Sequence, residues 1–241
     1  RAEWICNGLI RDWASWQGAR SPAWHQLCRV LDRLAPSPDE PLVPGALTRI
    51  SLDDTRDMPT LQMAYGKDVP VVHASSAVRR IISLAYLLVW TWQEHLRASD
   101  LRSQPPTRRV VLLVDEVEAH LHPAWQRRIL RSLLDVIRAL VEDDKADVQL
   151  LVVTHSPMLL ASVEPFFDPK RDALWMFDLV RDDAKATVRL TRDVWHRRGD
   201  ASAWLRSEVF DLKEARSVEA ERAITDATAL MANAQPSRED F

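Results

Sequence analysis

Hydrophobic side chains recur at helical spacing through residues 4–34, where tryptophan, leucine and isoleucine return every three or four positions. This periodicity predicts two helices, and the proline-containing stretch 36–44 interrupts it. Residues 46–52 and 60–65 have the pattern of short strands, and residues 66–72 predict a turn followed by a third strand. The first portion of the chain is therefore predicted to be helical with a small β-hairpin.

The middle of the chain alternates between strand-like and helix-like apolar patterns. A long helix is predicted from Ser75 to about Arg97, and its apolar composition predicts burial on most faces. The continuous apolar runs 110–114 and 148–153 are typical of buried parallel strands, and residues 123–141 between them predict one helix. Strand, crossover helix and strand indicate an α/β fold in which the two strands are adjacent and parallel.

Three weaker patterns follow. Residues 173–179 and 187–190 predict a pair of strands, and residues 217–233, rich in alanine and glutamate, predict a helix. No internal repeat or low-complexity tract is visible in the sequence.

Composition narrows the class of protein. The 241 residues are 46% hydrophobic and 28% charged, which predicts a core and excludes a disordered chain. No apolar run reaches the roughly 18 residues that a membrane span needs. The net charge of −3 does not favour nucleic-acid binding. Cys6 and Cys28 lack metal-site or redox spacing, so we expect a reducing compartment, the cytoplasm.

Two carboxylates follow the first apolar run directly. Asp115 and Glu116 are expected at the carboxyl end of that strand, where an aspartate can hold Mg²⁺ and a neighbouring glutamate can deprotonate an attacking water. The alternative is that the strand simply ends and both acids face solvent.

A histidine follows the second apolar run. His155, after Thr154, can contact a terminal phosphate and help to position the water, whereas the alternative is a histidine that caps the strand or the next helix. The joint spacing favours the functional interpretation, because one apolar strand ends in Asp-Glu, one helix follows, and the next apolar strand ends in Thr-His.

The third candidate is the start of the long helix. Ser75 and Ser76 lie where free backbone N–H groups and the helix dipole attract anions, although an ordinary N-cap is the simpler explanation. Arg79 and Arg80 on the same helix are interpreted as salt-bridging residues rather than phosphate or DNA ligands.

In this order, the three segments resemble the C-terminal half of an ABC-type ATPase head of the SMC/RecF/OLD-like group. More narrowly, they are similar to bacterial AAA family ATPases linked to phage defence and DNA repair. The matching segments are the signature motif ASSAVRR (74–80), the Walker B strand VVLLVDE (110–116), the D-loop region EAHLHP (118–123) and the switch-histidine strand LLVVTHSP (150–157). The specific part of the resemblance covers residues 70–161, and a weaker part continues through residues 204–212.

The resemblance implies a role for each matching residue. Asp115 would hold Mg²⁺, Glu116 would be the general base, and His155 would sense the γ-phosphate of ATP. Ser75 and Ser76 would bind nucleotide that is held mainly by a second subunit, because ATP is sandwiched between two heads in this group.

The resemblance also implies an architecture and partners. His120 and His122 would lie at the seam of a homodimer of heads. The fold would be a P-loop NTPase-like α/β lobe, divided into a helical and β-hairpin portion (1–72), an ATPase core (73–165) and a C-terminal extension (166–241). Mg-ATP-driven dimerisation would control an effector nuclease or another defence protein. DNA contact is not supported by the charge, and no membrane partner is expected.

Two departures from the group's pattern matter. The signature segment has Ala77 where glycine is usual and Val78 where a polar residue is common, and a methyl group there hinders close approach of phosphate to backbone. No G-x-x-x-x-G-K-[ST] loop occurs, since Gly66-Lys67 is followed by Asp68 and lacks the upstream glycine. Because the chain starts with Arg1, we expect either a phosphate loop in an upstream segment or a partner chain, or a degenerate protein that lacks one. We expect no ATP hydrolysis by this chain alone.

Three alternatives compete with the ATPase interpretation. A non-catalytic scaffold derived from an ABC ATPase would explain Ala77 and the missing loop, but it would not need Glu116. A nuclease is disfavoured, because no acidic Toprim-like module follows His155. A metal cluster of His120 and His122 with Glu116 and Glu118 is disfavoured as well, because Pro123 and a helix follow directly and a third histidine is lacking.

Overall fold

The structure is a computed structural model that describes residues 6–141, 146–182, 185–210, 212 and 216–232. Its helices are α1 (Leu9–Ala19), α2 (Pro22–Leu34), a 3-10 helix (Val71–His73), α3 (Ser76–Leu101), α4 (Pro123–Gln126), α5 (Ile129–Val141), α6 (Pro157–Val163), α7 (Ala201–Leu205) and α8 (Val218–Ala232). Its strands are β1 (Val43–Pro44), β2 (Thr60–Gln62), β3 (Asp68–Pro70), β4 (Arg109–Asp115), β5 (Asp147–Val153), β6 (Leu174–Asp182) and β7 (Lys185–Asp193). The predicted last helix is present as α8, and its predicted end at Asn233 lies outside the described residues.

The chain divides into two compact units, residues 1–162 and residues 163–241. The three portions predicted from the sequence, 1–72, 73–165 and 166–241, stay a prediction. Among the described residues, no helix combines the length and the apolar character needed to cross a membrane.

The central element of the first unit is the parallel pair β4 and β5. The two strands pair over their full lengths, from Arg109 opposite Asp147 to Asp115 opposite Val153. Helices α4 and α5 lie between them in sequence, and α5 contacts β5. The predicted adjacent parallel strands are therefore confirmed.

The predicted burial of these strands is wrong: one face of the pair is exposed, and the other is only half-buried. Side chains alternate between the two faces of a strand, and on one face Val111 is 63% exposed and Leu113 74% exposed. Leu151 and Val153 of β5 are 44% and 41% exposed. The physical reason is that a continuous apolar run shows only that both faces of a strand are apolar. Among the described residues, other elements pack against only one of these faces.

The core of this unit is helical. Helix α2 packs against α3 and α5, and Leu27, Leu31, Ala85, Leu133 and Val136 are fully buried. Helix α3 buries mainly one side, since Leu87 is 51% exposed, so the predicted burial on most of its faces is wrong.

The helix predicted after Pro123 is interrupted. Helix α4 ends at Gln126, and α5 begins at Ile129. Trp125 Nε1 donates to the carbonyl oxygen of Leu34 at 2.9 Å, and Arg128 Nη1 donates to that of Pro36 at 3.1 Å. These bonds tie the break to the end of α2.

The small antiparallel sheet has the order β1-β2-β3, so the second and third predicted strands are present. The strand predicted at 46–52 is wrong, because only Thr48 forms a bridge there, with Met58. Pairing ends at Gly45, where a Cβ would overlap the side chains of Thr60 and Asp68. Those side chains hydrogen-bond the backbone of Ala46.

The second unit contains the predicted pair of strands, β6 and β7, which run antiparallel with Phe177 opposite Leu190. Its buried centre is Glu164, whose carboxylate accepts hydrogen bonds from Trp204 Nε1 at 2.7 Å and from the backbone N–H groups of Arg198 and Gly199. Satisfied in this way, a carboxylate that is 8% exposed is a stable part of the interior.

Candidate functional site

The candidate site begins at the carboxyl end of β4. Asp115 is the last residue of the strand, and its side chain is exposed. Within the described residues, neither Asp115 nor Glu116 has a hydrogen bond or ion pair through its carboxylate. Both carboxylates are therefore available to a ligand at the mouth of the parallel pair.

Glu116 turns the chain sharply away from the strand. Its N–H donates to the carbonyl oxygen of Val153 at 2.9 Å, which extends the ladder by one residue. Its φ is 46°, a left-handed conformation that costs a non-glycine residue on the order of 1 kcal/mol or more. Arg80 Nη2 donates to the carbonyl oxygen of Glu116 at 2.7 Å. Arg80, in the second turn of α3, thus holds the backbone of Glu116 in place.

His155 follows β5 in a turn that is bound to the loop after β4. Thr154 Oγ1 donates to Glu118 Oε1 at 2.7 Å, and the backbone N–H of His155 donates to the same oxygen at 2.8 Å. The N–H of Ser156 donates to Thr154 Oγ1 at 2.9 Å. The imidazole of His155 is exposed.

A second set of bonds connects the same two loops. Ser156 Oγ donates to Gln126 Oε1 at 2.8 Å and accepts from the N–H of Leu159, so that it caps α6. Gln126 Nε2 donates to the carbonyl oxygen of Leu121 at 3.0 Å. Val117 and Leu121 are 3% and 6% exposed, which anchors the loop after β4 in the core.

The start of α3 is the third predicted part. Ser75 is the N-cap, and its Oγ accepts from the N–H of Val78 at 3.3 Å. Ser75 and Ser76 are both exposed. Arg79 Nη1 donates to the carbonyl oxygen of Val72, and Arg80 binds Glu116, so the predicted salt bridges are wrong for the described residues. Backbone carbonyls take the place of the expected carboxylates.

The two D-loop histidines differ in their local roles. His120 is exposed and has a φ of 63°. His122 is the N-cap of α4, and its Nδ1 accepts from the N–H of Ala124 at 3.3 Å. The metal cluster that the sequence disfavoured is not present among the described residues, which hold no group of three or more metal-binding side chains.

A magnesium ion fits this donor set. Mg²⁺ binds through one or two carboxylates and completes its shell with waters and substrate phosphates, so it does not need an all-protein cage. Asp115 provides one exposed carboxylate at the carboxyl end of β4, and Glu116, also exposed, is the next residue.

The structure brings most of the predicted site together. Asp115, Glu116 and His155 lie at the same end of the β4–β5 pair, and the helix of Ser75 and Ser76 reaches them through Arg80. Sequence reasoning missed Glu118, Thr154 and Arg80 as structural links. A signal was present for Glu118, because a polar Thr-His-Ser turn needs an acceptor and Glu118 follows the neighbouring strand.

Comparison with known families gives a match over residues 18–161 to the family described as "AAA domain, putative AbiEii toxin, Type IV TA system". The match covers the whole candidate site from Ser75 to His155. Together with the parallel pair β4 and β5, it confirms the predicted mixed α/β fold.

Two curated relatives match shorter segments. The chain is 36% identical over 53 residues to the "Retron Vc95 probable ATPase" of Vibrio cholerae serotype O1 biovar El Tor, covering 22% of this chain and 9% of the relative. It is 26% identical over 104 residues to the "Retron Ec83 probable ATPase" of Escherichia coli, covering 43% of this chain and 15% of the relative. The match therefore spans a small part of each relative's length.

Among solved structures, the SMC head domain from Thermotoga maritima is similar with a TM-score of 0.37 and 13% identity. The similarity covers 69% of this chain and 46% of that one.

Proposed function

The chain belongs to the AAA-domain family matched by residues 18–161, and we propose that it is part of an ABC-type ATPase head that binds and hydrolyses ATP with Mg²⁺. The observation that carries the proposal is the meeting of Asp115, Glu116 and His155 at one end of the β4–β5 pair. The names of the two curated relatives, each a probable ATPase of a retron, support the same activity.

Each residue at this edge has a distinct part in the proposed reaction. Asp115 would hold Mg²⁺, and the bound ion would neutralise charge on the phosphate oxygens. Glu116, one residue farther, accepts a proton from the water that attacks the γ-phosphate. The backbone of Glu116 is fixed, because its N–H donates to the carbonyl oxygen of Val153 and its carbonyl oxygen accepts from Arg80.

The remaining residues bind the nucleotide from two sides. The exposed imidazole of His155 contacts the γ-phosphate and helps to hold the attacking water. The exposed hydroxyls of Ser75 and Ser76, at a helix N-terminus, meet the γ-phosphate of a nucleotide bound mainly by a second head. His120 and His122 lie at the seam of the resulting homodimer.

Nucleotide-driven dimerisation would control an effector, in the proposal an associated nuclease or another defence protein. Support comes from the family description, which names a toxin–antitoxin system, and from the retron relatives. Direct DNA contact has no support from the net charge of −3.

A non-catalytic scaffold is the second candidate function, and Ala77 favours it. A methyl group at this position of the signature helix restricts the approach of phosphate to backbone. A scaffold, however, has no use for Glu116 beside Asp115, held in a left-handed conformation that disfavours glutamate.

Three variants of a full-length protein that contains this chain test the ATPase. Glu116→Gln should keep ATP binding, lose roughly 10²-fold or more in turnover, and accumulate the closed dimer, because the base is lost but its shape is kept. Asp115→Ala should weaken Mg-ATP binding. His155→Ala should lower turnover more than affinity.

Nucleotide affinity, steady-state turnover and the dimer fraction are measured for each variant. Asp147→Asn is the matched control, because Asp147 is an exposed carboxylate at the opposite end of the same strand pair, 3.8 Å from Arg109. It should behave as the wild type. Unchanged turnover in Glu116→Gln would rule out the proposed mechanism and favour the scaffold.

A further inference from the structure

Glu118 is a carboxylate that the proposed reaction does not use. It lies in the loop after β4, and its side chain reaches across to the turn after β5. The loop that carries it is fixed, because Val117 is 3% exposed and the N–H of Leu121 donates to the carbonyl oxygen of Glu118 at 2.8 Å. A fixed backbone gives the carboxylate a defined position.

The two carboxylate oxygens of Glu118 have different surroundings. Oε1 accepts from Thr154 Oγ1 at 2.7 Å and from the N–H of His155 at 2.8 Å, so both of its lone pairs are used. Oε2 is buried and has no hydrogen-bond partner among the described residues. The contacts to the turn therefore depend on a single oxygen.

We propose that Glu118 is a positioning residue that sets the place of the His155 imidazole, an inference that rests on the proposed role of His155. Glu118 Oε1 binds the backbone of His155 itself and the side chain of the residue before it, which fixes where the His155 side chain leaves the main chain. The carboxylate acts through its hydrogen bonds and takes no proton. It thereby couples the loop that follows Asp115 and begins with Glu116 to the histidine.

Two substitutions at Glu118 separate hydrogen bonding from charge. Glu118→Gln keeps an acceptor oxygen at Oε1 and places its NH₂ at Oε2, where no described group donates. Glu118→Ala removes the acceptor and leaves the His155 N–H without it. In the full-length protein, Glu118→Ala should lower kcat about 10- to 100-fold, the usual effect of losing an orienting partner. Glu118→Gln should restore kcat to within about threefold.

Nucleotide affinity should be unchanged in both variants, because Glu118 has no nucleotide contact in the proposed arrangement and, among the described residues, binds only Thr154 and the backbone of His155 through its carboxylate. A general structural defect would instead lower affinity, turnover and melting temperature together. Loss of kcat in Glu118→Gln equal to that in Glu118→Ala would overturn the inference, since it would assign the effect to charge.

A double-mutant cycle tests whether Glu118 acts through His155. Glu118→Ala should lower turnover in the wild-type background and change it less than about twofold in a His155→Ala background. Equal losses in both backgrounds would refute positioning while leaving the ATPase intact. If His155→Ala itself has wild-type turnover, the failure lies in the proposed function.

Thr154 offers a milder probe if Glu118→Ala does not fold. Thr154→Val removes the hydroxyl that donates to Glu118 and accepts from Ser156, and Thr154→Ser keeps both bonds. We expect Thr154→Val to lower kcat several-fold at constant affinity and Thr154→Ser to restore it. Equal kcat in the two variants would contradict the inference.

Discussion

At the scale of single residues, the first unit contains a buried polar pair between α1 and α3. Tyr86 and Asp12 are 4% and 6% exposed, and the hydroxyl of Tyr86 donates to Asp12 Oδ2 at 2.8 Å. Asn7 Nδ2 donates to the other carboxylate oxygen at 3.0 Å. Burial raises the pKa of Tyr86 far above its usual range, and hydrogen bonds first with Cys6 and then with Asp12 raise it further.

We predict that Tyr86→Phe destabilises the 241-residue chain by about 1–3 kcal/mol at neutral pH, because a buried carboxylate loses a donor while the ring remains. The pH dependence has a defined sign. The pKa of Tyr86 is higher in the folded chain than in the unfolded chain, where it is about 10. The free energy of unfolding is therefore unaffected by this group below about pH 10 and falls by about 1.4 kcal/mol per pH unit above it. Urea unfolding between pH 7 and 11 should show this alkaline loss in the wild type and a smaller loss in Tyr86→Phe.

Tyr65→Phe is the control, because Tyr65 is 67% exposed. It should follow the wild type at every pH. Parallel curves for wild type and Tyr86→Phe above pH 10 would contradict the assigned cause.

The residues of the candidate site were predictable to different degrees. Asp115, Glu116 and His155 could be predicted because each follows an apolar run directly, and parallel strands place such positions at one edge. The bond from Arg80 could not, because its acceptor is a backbone carbonyl 36 positions away. Glu118 binds partners 36 and 37 positions away for the same reason.

At the scale of secondary structure, the β4–β5 pair has one apolar face that the described residues leave exposed. Leu113 on that face is 74% exposed, whereas Leu133 of α5 is fully buried. Parallel sheets normally have both faces covered. Which elements form could be predicted from the periodicity, but coverage of each face depends on tertiary packing that local patterns do not encode.

The same substitution at these two leucines measures the difference. We predict that Leu133→Ala destabilises the chain by about 2–5 kcal/mol, as expected for a buried leucine. Leu113→Ala should change stability by no more than about 0.5 kcal/mol, as on other exposed surfaces. Urea unfolding of both variants of the 241-residue chain gives the comparison. Equal losses would mean that the exposed face is packed in solution.

The strand predicted at 46–52 illustrates why the end of a strand is harder to predict from the sequence than the presence of a sheet. The apolar pattern there is real, yet the side chains of Thr60 and Asp68 bind the backbone of Ala46 and end the pairing at Gly45. Hydrogen bonds from side chains 14 and 22 positions away cannot be read from the pattern of the segment itself.

At the scale of the whole molecule, the chain holds the carboxylates and the histidine of the proposed reaction but no loop to hold the phosphates. The P-loop sequence G-x-x-x-x-G-K-[ST] is absent from the 241 residues, and Gly66-Lys67-Asp68 does not replace it. In such loops, backbone N–H groups and a lysine bind the β- and γ-phosphates. Asp115 and Glu116 are carboxylates, so these three residues do not replace the lysine and the backbone N–H groups of such a loop.

We therefore predict that the purified 241-residue chain does not hydrolyse ATP measurably, even when folded. Phosphate release is measured at saturating Mg-ATP for three samples. They are the 241-residue chain, a full-length protein that contains it, and the Glu116→Gln variant of that full-length protein. In the proposal the phosphate loop lies outside residues 1–241, so the full-length protein should turn over, the chain alone should not, and Glu116→Gln should lose roughly 10²-fold or more. Turnover by the chain alone that is abolished by chelating Mg²⁺ would contradict this division of labour, since residues 1–241 would then bind the phosphates by means other than a P-loop.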